Sequence, residues 1–306
     1  MLPIAMVVGA LFHNAIEMVQ WVVPYLIFTM LFITFCRVRP ADLRFSPMIW
    51  KLLGIQIIGS VVVFMALRYF SVPLAQSVFI CVLCPTATAA PVVTGMLGGS
   101  IARVAAYSIA SNLSVALLAP VLFVWVGQSE GISFVAEFCA IGVKVAPLIV
   151  FPLLAAFLLY FFARPVHDAV DRVQGVSFYL WAVSLVIVVG RAVSFILAEP
   201  ASAVPLMIGM AVLAGLVCVA QFYAGRRIGR RSGDAVAGAQ GLGQKNTVLA
   251  IWMALTYLDP VSSIGPAAYI VWQNAINSAQ IYFHLRQSAK EKVQPNNACS
   301  RDVNLK

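Results

Sequence analysis

GAQGLGQKNT, residues 238–247, places three glycines, three amide side chains and a lysine in the middle of an apolar segment, and VLAIWMAL follows at 248–255. Whether Lys245 stands at a surface or inside a membrane decides how the rest is read. The chain has 306 residues, 62% of them hydrophobic and 10% charged, with a mean hydropathy of +0.94. Soluble domains are about half apolar and about a quarter charged. This composition therefore points to lipid as the solvent. Long apolar runs recur along the whole chain, each able to cross a hydrocarbon core of roughly 30 Å.

Breaks between the runs predict ten helical spans, at 2–15, 18–36, 47–67, 72–97, 101–126, 133–163, 174–197, 202–224, 235–257 and 262–285. The first is short and is interrupted by HNAIE. Helices are expected because a barrel would need short alternating segments. The fold class expected is an all-α integral membrane domain over residues 1–287, with a disordered cytoplasmic tail over 288–306. The opening MLPIAMVVGALFH has no basic region ahead of its apolar run and does not read as a cleaved signal peptide.

Charge gives the topology. Of the 20 Lys and Arg residues, 16 fall on one side of this arrangement, including Arg37, Arg39, Arg44, Arg103, Arg226, Arg227, Arg230, Arg231 and those of the tail. The other side has only Arg68 and Arg191; Lys144 and Lys245 lie within spans. The positive-inside rule then puts both termini in the cytoplasm, with the bacterial inner membrane as the expected location. The net charge of +9 is thereby accounted for without nucleic acid. Five of the six cysteines lie in apolar segments and read as small packing residues. No metal set, cofactor motif or catalytic triad is legible. GAQGLGQKNT imitates a phosphate-binding loop, but its lysine is one residue late and no Ser or Thr follows it directly.

Five spans per half, an odd number, would insert repeats at about 1–127 and 128–287 in opposite senses. The fourth span of each half is broken: by CPTATAAP at 84–91, and by GAQGLGQKN at 238–246. A matched pair of Pro- or Gly-broken spans points to an inverted-repeat secondary transporter with its site where the breaks meet. Pro85 and Pro91 should open the helix and leave N–H groups facing an anion. Thr86 and Thr88 would add hydroxyls, and Ala89 would leave the approach clear. Lys245 has no carboxylate near it in sequence, since Asp234 and Asp259 lie at opposite ends of its span. A lysine there costs at least ~2.5 kcal/mol without a partner. It must use carbonyl oxygens, amides such as Gln56 or Gln273, or an anionic substrate. Lys144, two turns from Glu137, reads as a snorkelling or paired lysine.

At these residues the chain resembles the bile acid:sodium symporter family, from about residue 18 to 285. CPTATAAPVVTG (84–95) stands where the family has C-P-G-G-T-A-S-N, GQKNTVLA (243–250) where it has G-x-Q-N-S-x-L-A, and VWQN (271–274) where it has W-H-N. The resemblance implies a panel domain of spans 1, 2, 6 and 7, and a core domain whose broken spans 4 and 9 cross. It implies alternating access and organic-anion substrates, from small carboxylates to bile acids. Thr88, Asn246 and Asn274 match substrate-contact positions, and Gln273 replaces a histidine. The sodium ligands are altered. Ala90 and Pro91 stand for Ser-Asn, Gly241 for a glutamate, Lys245 for a glutamine, and Val104 and Ser108 for span 5 hydroxyl ligands. An ammonium 4 Å from a sodium ion would cost about 4 kcal/mol at an effective dielectric near 20. Lys245 then replaces the ion, with Gln56 as its expected acceptor and Gln244 and Ser108 beside it.

The function expected is a sodium-independent secondary transporter of a small organic anion, a facilitator or exchanger, or proton-coupled if Lys245 gives up its proton in one state. An anion-binding membrane sensor is the alternative, and arsenite efflux, with Cys84 at the break, a lesser one.

Overall fold

A chain in hydrocarbon must satisfy its own N–H and C=O groups, and a helix does so within one segment. The computed structural model, which describes residues 2–38, 46–127 and 134–293, is helical and has no strand among those residues. Its helices are α1 (Leu2–Leu11), α2 (His13–Ile16), α3 (Val23–Cys36), α4 (Pro47–Leu67), α5 (Val72–Leu83), α6 (Ala90–Met96), α7 (Ile101–Gly127), α8 (Phe134–Phe162), α9 (Arg164–Arg172), α10 (Gln174–Ala198), α11 (Val204–Arg231), α12 (Ala235–Gly243), α13 (Thr247–Tyr257) and α14 (Ile264–Val293). A 3-10 segment, Glu17–Val22, leads into α3. Among the described residues six helical stretches are long and apolar enough to cross a membrane: Met18–Cys36, Pro47–Leu67, Ile101–Gly127, Phe134–Phe162, Tyr179–Ala198 and Ala201–Arg231.

Two expected boundaries differ. The stretch 2–15 is not one helix: α1 stops at Leu11, and its 10 residues rise only about 15 Å. The tail expected to be disordered from Ser288 is helical as far as Val293. Lys290, Glu291 and Lys292 are good helix formers and extend α14 past its apolar part. Arg39, Arg44, Arg301, Lys306 and the rest of the tail lie outside the described residues.

Both interruptions fall where the prolines and glycines place them. Pro85 drives the residue before it out of helical space, and Cys84 takes φ −51° and ψ 140°. The chain stays non-helical until α6, where Pro91 sits in the first turn and costs no backbone bond. In the second interruption Gln244 is extended (φ −92°, ψ 107°) and Asn246 caps α13, its side chain accepting from Leu249 N at 3.3 Å. Asp234 caps α12 by accepting from Ala237 N at 2.8 Å, and also holds Ser100 N at 2.8 Å. It thus ties the α6–α7 turn to the α11–α12 turn.

The helices pack in two sets. α1, α3, α8 and α10 lie on one another; so do α4, α5, α7, α11, α12 and α14. The sets meet where α7 packs on α8 and α10 on α13. An aromatic chain closes the second set at the end of α13: Phe64 on Phe79 (6.0 Å between ring centres), Phe79 on Phe123 (6.3 Å), Phe123 stacked on Tyr257 (5.6 Å) and Tyr257 on Trp252 (5.7 Å). Outside the spans, α9 is tied down by Arg164, which pairs with Asp168 at 3.3 Å and lies 4.0 Å over the Tyr160 ring.

α11 and α12 approach backbone to backbone. A Cβ on Gly225 would strike the Gly238 carbonyl, and one on Gly238 would strike the Gly225 carbonyl. Only glycine permits that approach, which is how small residues bring helices together in lipid. Gly225→Ala is expected to push the helices apart and lower stability by about 1–3 kcal/mol. Thermal unfolding in detergent measures it. Gly54→Ala, where a Cβ would meet nothing within 4 Å, is the control and should not lower the midpoint.

Candidate functional site

A helix leaves its last four carbonyls without intrahelical donors. Because α5 ends inside the protein, those carbonyls must find side chains, and they do. Gln221 Nε2 donates to Cys81 O (3.2 Å) and Lys245 Nζ to Val82 O (2.9 Å). Gln56 Nε2 donates to Leu83 O (2.6 Å) and to Cys84 O (3.3 Å). The end of α12 is treated in the same way. Thr86 Oγ1 donates to Gly241 O (2.8 Å), Tyr269 OH to Gly243 O (2.7 Å) and Ala87 N to Gln244 O (2.9 Å). Asn246 N donates to Pro85 O (2.8 Å), so residues 86 and 245 form one antiparallel bridge between the interruptions. The two broken helices are stitched by the groups that the breaks release.

Lys245 is therefore placed by electrostatics. It is 1% exposed, and its ammonium lies at the carbonyl end of α5, where the helix dipole favours a cation. Gln273 Oε1 accepts from its backbone N at 2.9 Å. Among the described residues it has no carboxylate partner. Gln56 does not accept from Lys245, contrary to expectation. Its carbonyl oxygen already takes hydrogen bonds from Tyr107 OH (2.7 Å) and Ser111 Oγ (2.8 Å), and its NH2 is spent on α5. Gln56 and Lys245 thus share one task, capping the same helix end, without touching through this bond.

A cavity of about 540 Å³ lies against the bridge. Thr88, Ala89, Ser108, Gln244, Lys245, Asn246, Gln273 and Asn274 all line it. Thr86 does not: its hydroxyl is turned to Gly241 O and it is 1% exposed, so the expected substrate contact there is replaced by a structural one. The expected row of free N–H groups is also largely absent. The N–H groups of Ala87, Lys245 and Asn246 are bonded across the bridge or to Gln273, and that of Ala90 to Ala87 O. Gln244 Oε1 is buried without a hydrogen-bond partner.

Several members of the site are not singled out by sequence reasoning: Tyr107, Gln221, Gln240, Tyr269, Asn277 and Arg37. Gln240 Nε2 donates to Asn277 Oδ1 at 3.0 Å and Gln280 Oε1 at 3.1 Å, joining α12 to α14. Their signal is spacing. Gln273, Asn277 and Gln280 recur every three or four residues and so share one helical face with Gln273 at the bridge. The thiols Cys81, Cys84 and Cys218 are buried, and Cys84 Sγ donates to Asn246 O at 3.0 Å. They do not form a group able to hold a metal ion among the described residues. Glu137 and Lys144 line a separate polar hollow together with Tyr257 and Asp259.

No protein-family model matches this chain, and a search of curated proteins finds no match.

Thr86→Val keeps the shape of the side chain and deletes the hydroxyl, leaving Gly241 O unpaired in the interior. A loss of about 1–3 kcal/mol is expected. Thr86→Ser should recover most of it, and the comparison of unfolding midpoints in detergent checks both.

Proposed function

We propose that this chain is a secondary transporter of an organic anion, of the bile acid:sodium symporter type, in which Lys245 takes the place of a bound sodium ion. The observation that carries the proposal is the ammonium of Lys245 held at 2.9 Å from Val82 O, at the carbonyl end of a broken helix and beside the cavity. A cation is wanted there by the carbonyls of the buried helix end, and the chain supplies its own. A tethered charge cannot run down a gradient, so the transporter works without sodium, as a facilitator or exchanger.

Ten spans follow if α1–α2, α14 and the two broken pairs α5–α6 and α12–α13 are each counted as crossing with the six long helices. The broken pairs are then fourth in each half, which is the arrangement of an inverted repeat. The set α4–α7 with α11–α14 would be the core, and α1, α3, α8 and α10 the panel. The packing of the helices into these two sets supports that division. The basic residues favour a cytoplasmic side that holds the termini and the Arg37 end of the cavity. The bacterial inner membrane is the location that fits. On this reading the structure faces inward, and the aromatic chain from Phe64 to Trp252 closes the outer end.

Among the described residues the cavity lining includes two cationic residues, Arg37 and Lys245, and no carboxylate, which favours an anion over an arsenite-type neutral cargo. A sensor would use the same cavity, but two helix sets meeting along a cavity suit alternating access better.

The test is uptake of labelled organic anions into proteoliposomes with sodium replaced by potassium. Wild-type flux is expected to be the same in both media. Lys245→Gln is expected to lose flux by at least about tenfold in potassium, because a neutral amide leaves α5 without its cation. Sodium-dependent wild-type flux would overturn the replacement. Saturable binding without flux would favour the sensor.

A further inference from the structure

The bridge consumes its own donors, and this bears on which way round a substrate lies. The N–H groups of Ala87, Lys245 and Asn246, the Thr86 hydroxyl and the Lys245 ammonium all have protein acceptors. The other polar side chains that line the cavity on this side are neutral: Thr88, Gln244, Asn246, Gln273 and Asn274. Amide and hydroxyl side chains of this kind exchange hydrogen bonds with a hydroxyl or an amide. The Lys245 ammonium is turned to Val82 O at the carbonyl end of α5, so what this side offers a substrate is a row of neutral hydrogen-bonding groups.

The free positive charge is on the other wall. Arg37 follows the last residue of α3, and Phe35, Val38 and Trp181 line the cavity beside it. Among the described residues its guanidinium makes no hydrogen bond or ion pair and no Asp or Glu lines the cavity. A guanidinium with five donors in a fixed fork matches a carboxylate or sulfonate. Arg37 belongs to the basic loop that sets topology, and it also borders the cavity.

Resting on the transport reading above, we propose that Arg37 binds the anionic group of the substrate from the α3 wall, while the bridge amides receive its neutral, hydrogen-bonding end. The substrate is then an amphipathic anion with charge and hydroxyl or amide at opposite ends of an apolar body. The bound molecule joins the two helix sets, Arg37 from one and Gln244 and Gln273 from the other.

The experiment is equilibrium binding of labelled ω-hydroxydecanoate to the purified full-length protein in detergent, against its methyl ester and against decanoate. Wild type is expected to bind the hydroxy acid saturably. Arg37→Gln should weaken it by about tenfold or more, and Arg37→Lys by less, since lysine keeps the charge and loses the fork. The methyl ester should bind both wild type and Arg37→Gln within about twofold of one another, as a neutral end gains little from a cation. Binding of the acid should weaken with added salt in wild type and lose most of that dependence in Arg37→Gln. Arg227→Gln, a loop charge away from the cavity, should change nothing. Decanoate, lacking the hydroxyl, should bind more weakly than the hydroxy acid.

Equal binding of the acid by Arg37→Gln and wild type overturns the proposal. So does absence of saturable binding of ω-hydroxydecanoate by wild type. In either case anion flux into proteoliposomes still decides the transport reading separately, because that assay does not depend on where the charge is held.

Discussion

A helix that ends inside a membrane protein leaves carbonyls that water cannot reach, and this structure is arranged around the end of α5. Each carbonyl from Cys81 to Cys84 is met by a buried side chain: Gln221 from α11, Lys245 from the second interruption, and Gln56 from α4. An unmet buried carbonyl costs about 1–3 kcal/mol, so four of them would rival the net stability of a domain. Three segments distant in sequence are drawn to one point by that requirement. The same logic stitches Gly241, Gly243 and Gln244 to Thr86, Tyr269 and Ala87.

The cost of an ammonium in this setting is lowered in kind. Lys245 is among the largest fully buried side chains, yet it faces a helix carbonyl end whose partial negative charge is fixed and needs no reorganisation. A mobile ion could occupy such a place and leave it. A tethered one stays, and a device that would otherwise be filled and emptied becomes permanent. This is the physical content of the proposed sodium independence.

The same economy of donors shapes the cavity. Because the breaks satisfy each other, the wall they present is rich in amides, and a second cation, Arg37, lines the cavity from the end of α3. An anion site at freed N–H groups, expected from two prolines, is mostly replaced by a backbone bridge. The prolines do break the helix; the second broken helix, lying alongside, then takes up the groups they release.

Sequence by itself determined the solvent, the helical class, the position of both interruptions and the presence of a lysine that needed a partner. Each of these rests on local chemistry: apolar length, the steric demands of Pro85 on Cys84, and the absence of nearby acid. Thr88, Ser108, Gln244, Asn246, Gln273 and Asn274, singled out in the sequence, line one cavity. Tertiary structure alone decided which acceptor Lys245 uses, that Gln56 is already saturated by Tyr107 and Ser111, that Thr86 faces Gly241, and that Arg37 borders the cavity. Hydrogen-bond partners more than 150 residues apart, such as Lys245 with Val82 or Thr86 with Gly241, leave no local trace. They are chosen by competition among all the buried polar groups that reach one point, and that competition exists only once the helices are packed.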